Sequence, residues 1–551
     1  MGTRGRCLRG KCLTMNLNEM KRYGTDDVVD AVVIGTGAGG APLLARLAVA
    51  GQSVVALEAG RNWDPGTEFP TDEVAARELY WLGDRISGGS TPTAFGANNS
   101  GTGVGGSTLH WGAYVPRPDP RDLRVHTEFG VGEDWPIAYE ELQPYFEEVE
   151  RFIGVSGPAL YPWREDRRYP LPPVPLNAPA QAMQRGFRML GLRTSEAPIA
   201  AISRDYEVRG SAKRPGYPLR HACVNRGYCH QGCRNGAKAS MDVTYLPAAV
   251  DAGAEIRPES FVHGIELDAR GRVTAVVYRH AGEDIRQRCR AVFLCAGAVE
   301  TPRLLLHCGK DIAGLANSSG QVGRNFMAHV ATQVWGTFGE EMRPNKGFPA
   351  SLISEELLRA RDADYAGGYL VQSLGIVPVT WAMQVARGRG IWGTELVRYL
   401  SCFNNVAGLG INGDCMPNTS NYLELSDEVD ERGMRKPLVH FSYGENERRM
   451  SVHAERTMLA AWKEAGAEDR WVFQRSAHTI GTCRMAENAS EGVVDRSGRS
   501  FDVPNLWICD NSVFPSALPA NPALTIMALS LRTADAFLEG ERRGSAGVKR
   551  V

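Results

Sequence analysis

The stretch Asp30-Ala-Val-Val-Ile-Gly35-Thr-Gly37-Ala-Gly39-Gly40 decides the fold class. An apolar, β-rich run enters a glycine turn and leaves as the small, apolar segment 41–50, the strand–turn–helix setting that a dinucleotide fingerprint requires. Gly35 permits the tight turn, Gly37 lets backbone amides approach a pyrophosphate, and Gly40 lets the helix pack on the strand. The N-terminus of that helix favours negative charge. A second apolar run, Ser53-Val-Val-Ala-Leu-Glu58, ends on a carboxylate placed to accept hydrogen bonds from a ribose diol. A glycine turn without a ligand is the plain alternative, and the presence of strand, helix, second strand and acid together weighs against it.

Spacing in this segment does not choose between NAD and FAD, so the choice rests on three further segments. The first is Gly103-Val-Gly105-Gly106-Ser107-Thr-Leu-His110-Trp111-Gly112, a glycine loop suited to a second close backbone approach. The second, Ala291-Val-Phe-Leu-Cys-Ala-Gly297-Ala-Val-Glu-Thr301-Pro302, reads as another strand, turn and helix. The third combines His478-Thr-Ile-Gly481-Thr482-Cys-Arg-Met485 with Asn505-Leu-Trp-Ile-Cys-Asp510 and Asn521-Pro522-Ala-Leu-Thr525.

In these residues, and in their order from about 28 to 540, the chain resembles the glucose-methanol-choline (GMC) family of FAD-dependent oxidoreductases. Within it the GGSTLHWG loop and Val131-Gly-Glu-Asp-Trp135-Pro136 are most similar to gluconate, fructose and glucose dehydrogenase flavoprotein subunits and to pyranose oxidases. The resemblance implies an α/β architecture: a doubly wound, Rossmann-like FAD domain assembled from separated stretches, and a substrate-binding domain built on a sheet. The expected boundaries are 26–130, 210–330 and 471–545 for the FAD domain, 131–209 for a connecting segment, and 331–470 for the substrate domain. Residues 1–25 would be a flexible extension. Cofactor contacts are expected from Gly35, Gly37, Gly40, Glu58, Gly105, Gly106, Ser107, His110, Asp510 and Pro522.

Oxidising an alcohol requires a base for the hydroxyl proton and a hydride acceptor, so one base and one orienting partner suffice. His478, whose imidazole titrates near working pH, is the natural base. The family places His or Asn at a second position, matched here by Asn521, which can hold the substrate oxygen but cannot take its proton. His110 precedes Trp111 as in pyranose oxidases, where the equivalent histidine bonds covalently to the flavin; a histidine that only hydrogen-bonds near the ring is the open alternative. Asp510 is expected at the pyrophosphate or ribityl chain, with an Asx turn as the plain reading.

Cys223, Cys229 and Cys233 lie close together in a glycine-containing loop, with His221 and His230 nearby. Three thiols can ligate an iron–sulfur cluster, as in some similar dehydrogenases, but a reduced, structural loop is the leading reading. Cys7 with Cys12 offers two ligands, fewer than a metal site needs.

Lys and Arg number 62 and Asp and Glu 63, a net charge of −1 that argues against nucleic acid as a partner. With 43% hydrophobic and 23% charged residues the chain reads as globular, and its 551 residues imply more than one core. No uninterrupted apolar run suits a membrane span, and the basic start lacks the apolar centre of a secretory signal, so a cytoplasmic location is expected. The expected partners are a small-molecule alcohol or sugar and an electron acceptor of unstated identity. A small-subunit or cytochrome partner stays open. The aromatic residues Trp381, Trp392, Tyr399 and Phe403 suit core packing more than a sugar platform.

Overall fold

The computed structural model describes Met15 and residues 17–548 apart from 84, 94–99, 208–219 and 310–312, with side chains as far as residue 543. Cys7 and Cys12 lie outside the described residues. The described strands form three sheets, of seven, eight and three strands.

The first sheet grows from Val29–Ile34, whose Val and Ile side chains favour an extended, buried backbone. It pairs in parallel with Val54–Leu57 on one side and with the end of Glu283–Leu294 on the other. Glu255–Arg257 and Leu506–Ile508 extend the parallel part. These strands are buried and nearly uniformly apolar, as a parallel sheet covered on its faces demands. The other half of Glu283–Leu294 pairs antiparallel with Val273–His280, which pairs with Phe261–Leu267. Helix Gly40–Val49 packs against Tyr245–Asp251 and Ala523–Val548, and the last of these packs against Tyr139–Ile153.

The second sheet is antiparallel and runs Arg470–Phe473, Gln333–Thr337, Val406–Gly413, Tyr369–Leu374, Leu352–Ser354 and Ser195–Glu196. Met327–Val330 joins Val406–Gly413, and Ser476–Ile480 joins Met327–Val330. Helices Ala178–Met189 and Glu445–Glu464 pack together on this sheet. The small third sheet pairs Tyr422–Val429, Arg435–His440 and Ile86–Gly88. The expected α/β plan, a dinucleotide-binding sheet with a second sheet-based unit, is the one present.

The second sheet draws strands from all three of the expected stretches. Met327–Val330 and Ser476–Ile480, expected in the FAD domain, hydrogen-bond into the second sheet. Ser195–Glu196, expected in the connecting segment, forms that sheet's edge. Sequence patterning shows a strand but not its partner, which is where the boundary is set. The start of the chain is also tied down from Met20 onward. Met20 is buried in the core, and Tyr23 donates to Glu255 through its amide at 2.9 Å and to Gly253 O through its hydroxyl at 3.0 Å.

Two contacts anchor the connecting segment. Trp135 is buried, donates to Ser516 Oγ at 2.8 Å and meets the Phe514 ring edge-on. Arg117 donates to both oxygens of Glu150, at 2.7 and 2.6 Å, with both side chains buried. Trp381 is fully buried among Trp335, Trp471 and Tyr399 and builds a core as expected, whereas Trp392 is exposed and, among the described residues, packs in no core. No described helix is long and apolar enough to cross a membrane.

Candidate active site

A single cavity of about 1090 Å³ runs from the first glycine turn to His478 and on between the two large sheets. That volume exceeds what a drug-sized ligand alone needs, about 300–1,000 Å³. At its inner end the glycine turns are packed backbone to backbone. A Cβ on Gly39 would lie 1.9 Å from Cys509 O, one on Gly40 1.9 Å from Gly35 O, and one on Gly106 2.8 Å from Gly37 Cα. Gly35, Gly105 and Gly106 have φ of 95°, 117° and 56°, the left-handed region open to glycine. Gly39 is a requirement that the spacing rule had not marked.

Helix Gly40–Val49 starts here with no side-chain cap and no acidic residue in its first turn. An uncapped N-terminus opening on a cavity is suited to an anion, and its amides match a diphosphate. Glu58 lines the same cavity, but its oxygens already accept from Thr36 N (3.0 Å), Thr36 Oγ1 (2.7 Å), Gly60 N (3.1 Å) and Gly103 N (3.4 Å). Burial pushes its carboxyl above the usual range, and these donors oppose the shift. Gly105 N donates to Thr36 Oγ1 at 3.1 Å, so Glu58 and Thr36 lock the two glycine turns together.

Asp510 and Pro522 also line the cavity. Asp510 accepts from Gly297 N at 2.8 Å and Thr301 Oγ1 at 2.6 Å, at the start of helix Gly297–His307, and from Ser512 N at 2.8 Å. The Asx-type bond to Ser512 and the cavity position therefore coexist. Ser107 Oγ accepts from Gly101 N at 2.9 Å. His110 is buried on the cavity wall with its ring edge-on to Tyr80.

His478 is brought into place by a break in strand pairing. In the ladder with Met327–Val330, Ala477 faces His329 and Thr479 faces Ala328, so His478 is an extra residue with φ of 58°. Such a bulge turns a side chain out of its sheet, and a non-glycine residue in this region costs about 1–3 kcal/mol. The His478 ring lines the cavity, with Nδ1 2.8 Å from His329 Nδ1.

The proton positions follow from the partners. His329 Nε2 faces two acceptors, Leu518 O at 2.6 Å and Ala517 O at 3.2 Å, so it carries hydrogen. Burial pushes the His329 pKa down to about 4, so the ring is neutral and its Nδ1 is bare. The 2.8 Å contact then requires His478 Nδ1 to donate, leaving His478 Nε2 with the lone pair that a general base needs. Burial, with the nearby His329 and Arg475, holds the His478 pKa well below its ordinary value. We expect His329→Leu to slow substrate oxidation roughly 10- to 100-fold. His329→Gln, whose amide oxygen can accept from His478 Nδ1, should recover most of the loss in stopped-flow measurements.

Asn521 shares the cavity with His478. Its Oδ1 accepts from Asn412 Nδ2 at 2.8 Å, which leaves its own Nδ2 as the donor available to a substrate oxygen. His329, Asn412 and Arg475 were missed in the sequence. Only Asn412 carried a signal there, as a polar residue in the apolar run Val406–Gly413.

The cysteines lie apart from His478 and Asn521 in the sequence and are arranged differently. Desolvation pushes the half-buried Cys229 thiol up, and Cys233 and Cys223 add to the shift. Yet among the described residues no group of three or more His, Cys, Asp or Glu side chains could hold a metal ion. His221 pairs instead with Asp205, and His230 with His110 O. The loop's carbonyl at Cys229 accepts from Lys238 Nζ at 2.6 Å, and the same ammonium donates to Leu109 O and Trp111 O on either side of His110.

Comparison with known proteins agrees with this geometry. The chain is 29% identical to the fructose dehydrogenase large subunit of Gluconobacter japonicus over 94% of this chain and 98% of that one. It is 30% identical to 2-methyl-1,2-propanediol dehydrogenase of Mycolicibacterium austroafricanum, covering 92% of this chain and 95% of the relative. The fold matches pyridoxine 4-oxidase from Mesorbium loti with a TM-score of 0.65 at 18% identity, over 93% and 99% of the two chains. Residues 85–331 and 417–530 match the two GMC oxidoreductase models, and the chain belongs to the GMC oxidoreductase family, FAD-binding enzymes that oxidise CH–OH groups.

Proposed function

We propose that this enzyme oxidises a hydroxyl of a sugar, polyol or related alcohol to the carbonyl, with His478 as the base and Asn521 as the orienting group. The observation that carries the reading is the lone pair of His478 Nε2, fixed by His329, in a cavity that also reaches Asn521 and the glycine cradle. When bound along Gly35, Gly37, Gly39 and Gly106, FAD supplies the hydride acceptor. Asn521 Nδ2 donates to the substrate oxygen and holds its hydroxyl toward His478 Nε2, which takes the proton. Gln372 and Gln384 line the substrate end, and their buried side-chain oxygens accept no hydrogen bond among the described residues, which favours a substrate with further hydroxyls to donate. Anaerobic mixing with a panel of sugars and polyols should bleach the flavin absorbance; a panel without effect would overturn the reading.

His110 is the residue for a covalent flavin link. Colour kept in the pellet after acid precipitation would support that bond, and colour released into the supernatant would assign His110 to contact alone. A second reading makes the chain the catalytic subunit of a larger electron-transfer complex, resembling the relative named as a large subunit. Cys223, Cys229 and Cys233 share one loop beside His110, although among the described residues no three such side chains stand together as metal ligands. Iron assayed on the same sample at about three atoms per chain would establish it; iron-free protein would leave the loop as the seat of Lys238.

A further inference from the structure

Arg475 stands in the cavity wall next to the base with no carboxylate to meet it. It immediately precedes Ser476–Ile480, its Nε donates to Ser476 O at 3.3 Å, and among the described residues its side chain makes no other hydrogen bond and no ion pair. Every carboxylate on the cavity wall is engaged elsewhere. Glu58 serves Thr36 and the glycine turns, and Asp510 serves Gly297 and Thr301. Glu73 accepts from Val379 N and Thr380, Glu300 from Arg85 and Arg303, and Glu447 from Gly444 N and Met416 N. A second arginine, Arg387 on helix Pro378–Arg389, lines the same cavity near enough to repel Arg475 and also lacks an ion pair among the described residues.

A half-buried guanidinium that faces a like charge and has no carboxylate partner is retained when something negative completes it. The cofactor's diphosphate is already matched by the N-terminus of helix Gly40–Val49 on the first sheet. Arg475 and Arg387 belong instead to the second sheet and the helix packed on its edge strand Arg470–Phe473. The missing charge therefore lies at the substrate end.

We propose that the compound oxidised carries, besides the hydroxyl presented to His478, an anionic group, a carboxylate or a phosphate, that pairs with Arg475 and is flanked by Arg387. The planar fork of Arg475 suits two oxygens of either group. The substrate class is thus a hydroxy acid, sugar acid or phosphorylated polyol in place of a neutral alcohol. This rests on the reading of His478 and Asn521 given above and narrows it.

The test uses FAD-loaded enzyme and matched open-chain polyols: glucitol, gluconate and glucitol 6-phosphate, with glycerol, glycerate and glycerol 3-phosphate as the shorter set. Flavin reduction is followed anaerobically, and thermal unfolding is followed with acetate or inorganic phosphate as probes that bind without turnover. The expected result is a kcat/KM for one anionic type at least about tenfold above its neutral partner, one hydrogen-bonded charge contact being worth that much. Carboxylate and phosphate are told apart by which member gains. Arg475→Gln should erase the preference and the thermal protection, and Arg475→Lys should keep part of both. Arg387→Gln, at an exposed position, should weaken the preference with the fold intact and decides the matter if Arg475→Gln fails to fold. An Arg475→Gln enzyme slowed equally on neutral and charged compounds would overturn the proposal while leaving the oxidation reading in place. If no compound reduces the flavin, the oxidation reading falls, and the anion site is judged by thermal protection: protection that needs Arg475 supports it, and its absence overturns it.

Discussion

Replacing His478 by alanine is expected to slow substrate-driven flavin reduction by about 10²–10⁴-fold, the usual contribution of a general base. The protein should still fold and retain flavin, because the glycine cradle and the Glu58–Thr36 bonds that join its turns lie apart from the His478 ring. The pH profile supplies an independent check. Burial holds the folded His478 pKa well below its ordinary value of 6.5, so the neutral base is present above that lowered pKa and is lost only as pH falls through it. The wild-type reduction rate should therefore stay flat through pH 6.5, where an ordinary histidine would be half protonated. A rate that halves near pH 6.5 would mean that His478 is solvated like a surface residue or is not the base. Unchanged reduction in the alanine variant would remove His478 from the chemistry.

Breaking the Arg117–Glu150 pair should cost far more stability than breaking an ion pair on the protein surface. Both side chains are buried and joined by two short hydrogen bonds, so Arg117→Met leaves Glu150 as an uncompensated buried carboxylate. The expected cost is about 3–5 kcal/mol, read as a lower urea midpoint for unfolding of the holoenzyme. Removing both charges with Arg117→Met and Glu150→Leu should recover most of it, since the penalty belongs to the orphaned ion. A double variant no more stable than the single would mean that packing around the guanidinium carries the effect.

The parts of the site that were legible in the sequence are those encoded locally. A glycine turn between a strand and a helix is specified by neighbours in the chain, so the turn at Gly35, Gly37 and Gly40 and the close-packed loop from Gly105 were legible before any fold was known. His478 and Asn521 were found through their flanking motifs. His329 was not, because its role depends on which strand pairs with Ser476–Ile480 and on a one-residue slip in that pairing, neither of which leaves a local pattern. Arg475 was hidden for a related reason: an arginine in sequence reads as a solvated charge, and only the cavity shows that no acid answers it. Asp510 shows the limit in another way, since the helix it serves starts at Gly297, far away in the chain. Strand partners were not legible either, since Met327–Val330 and Ser476–Ile480 join a sheet built mostly from residues 333–473.

The contact between His478 and His329 also sets a route. A proton taken up at His478 Nε2 can at most be shared inward through Nδ1, because the far nitrogen of His329 ends on Leu518 O and Ala517 O, carbonyls that accept a hydrogen bond but do not carry a proton onward. The chain of imidazoles is a closed end and not a wire. If His478 is the base, a proton it takes up finds no way inward through His329 and returns to the cavity that the His478 ring lines.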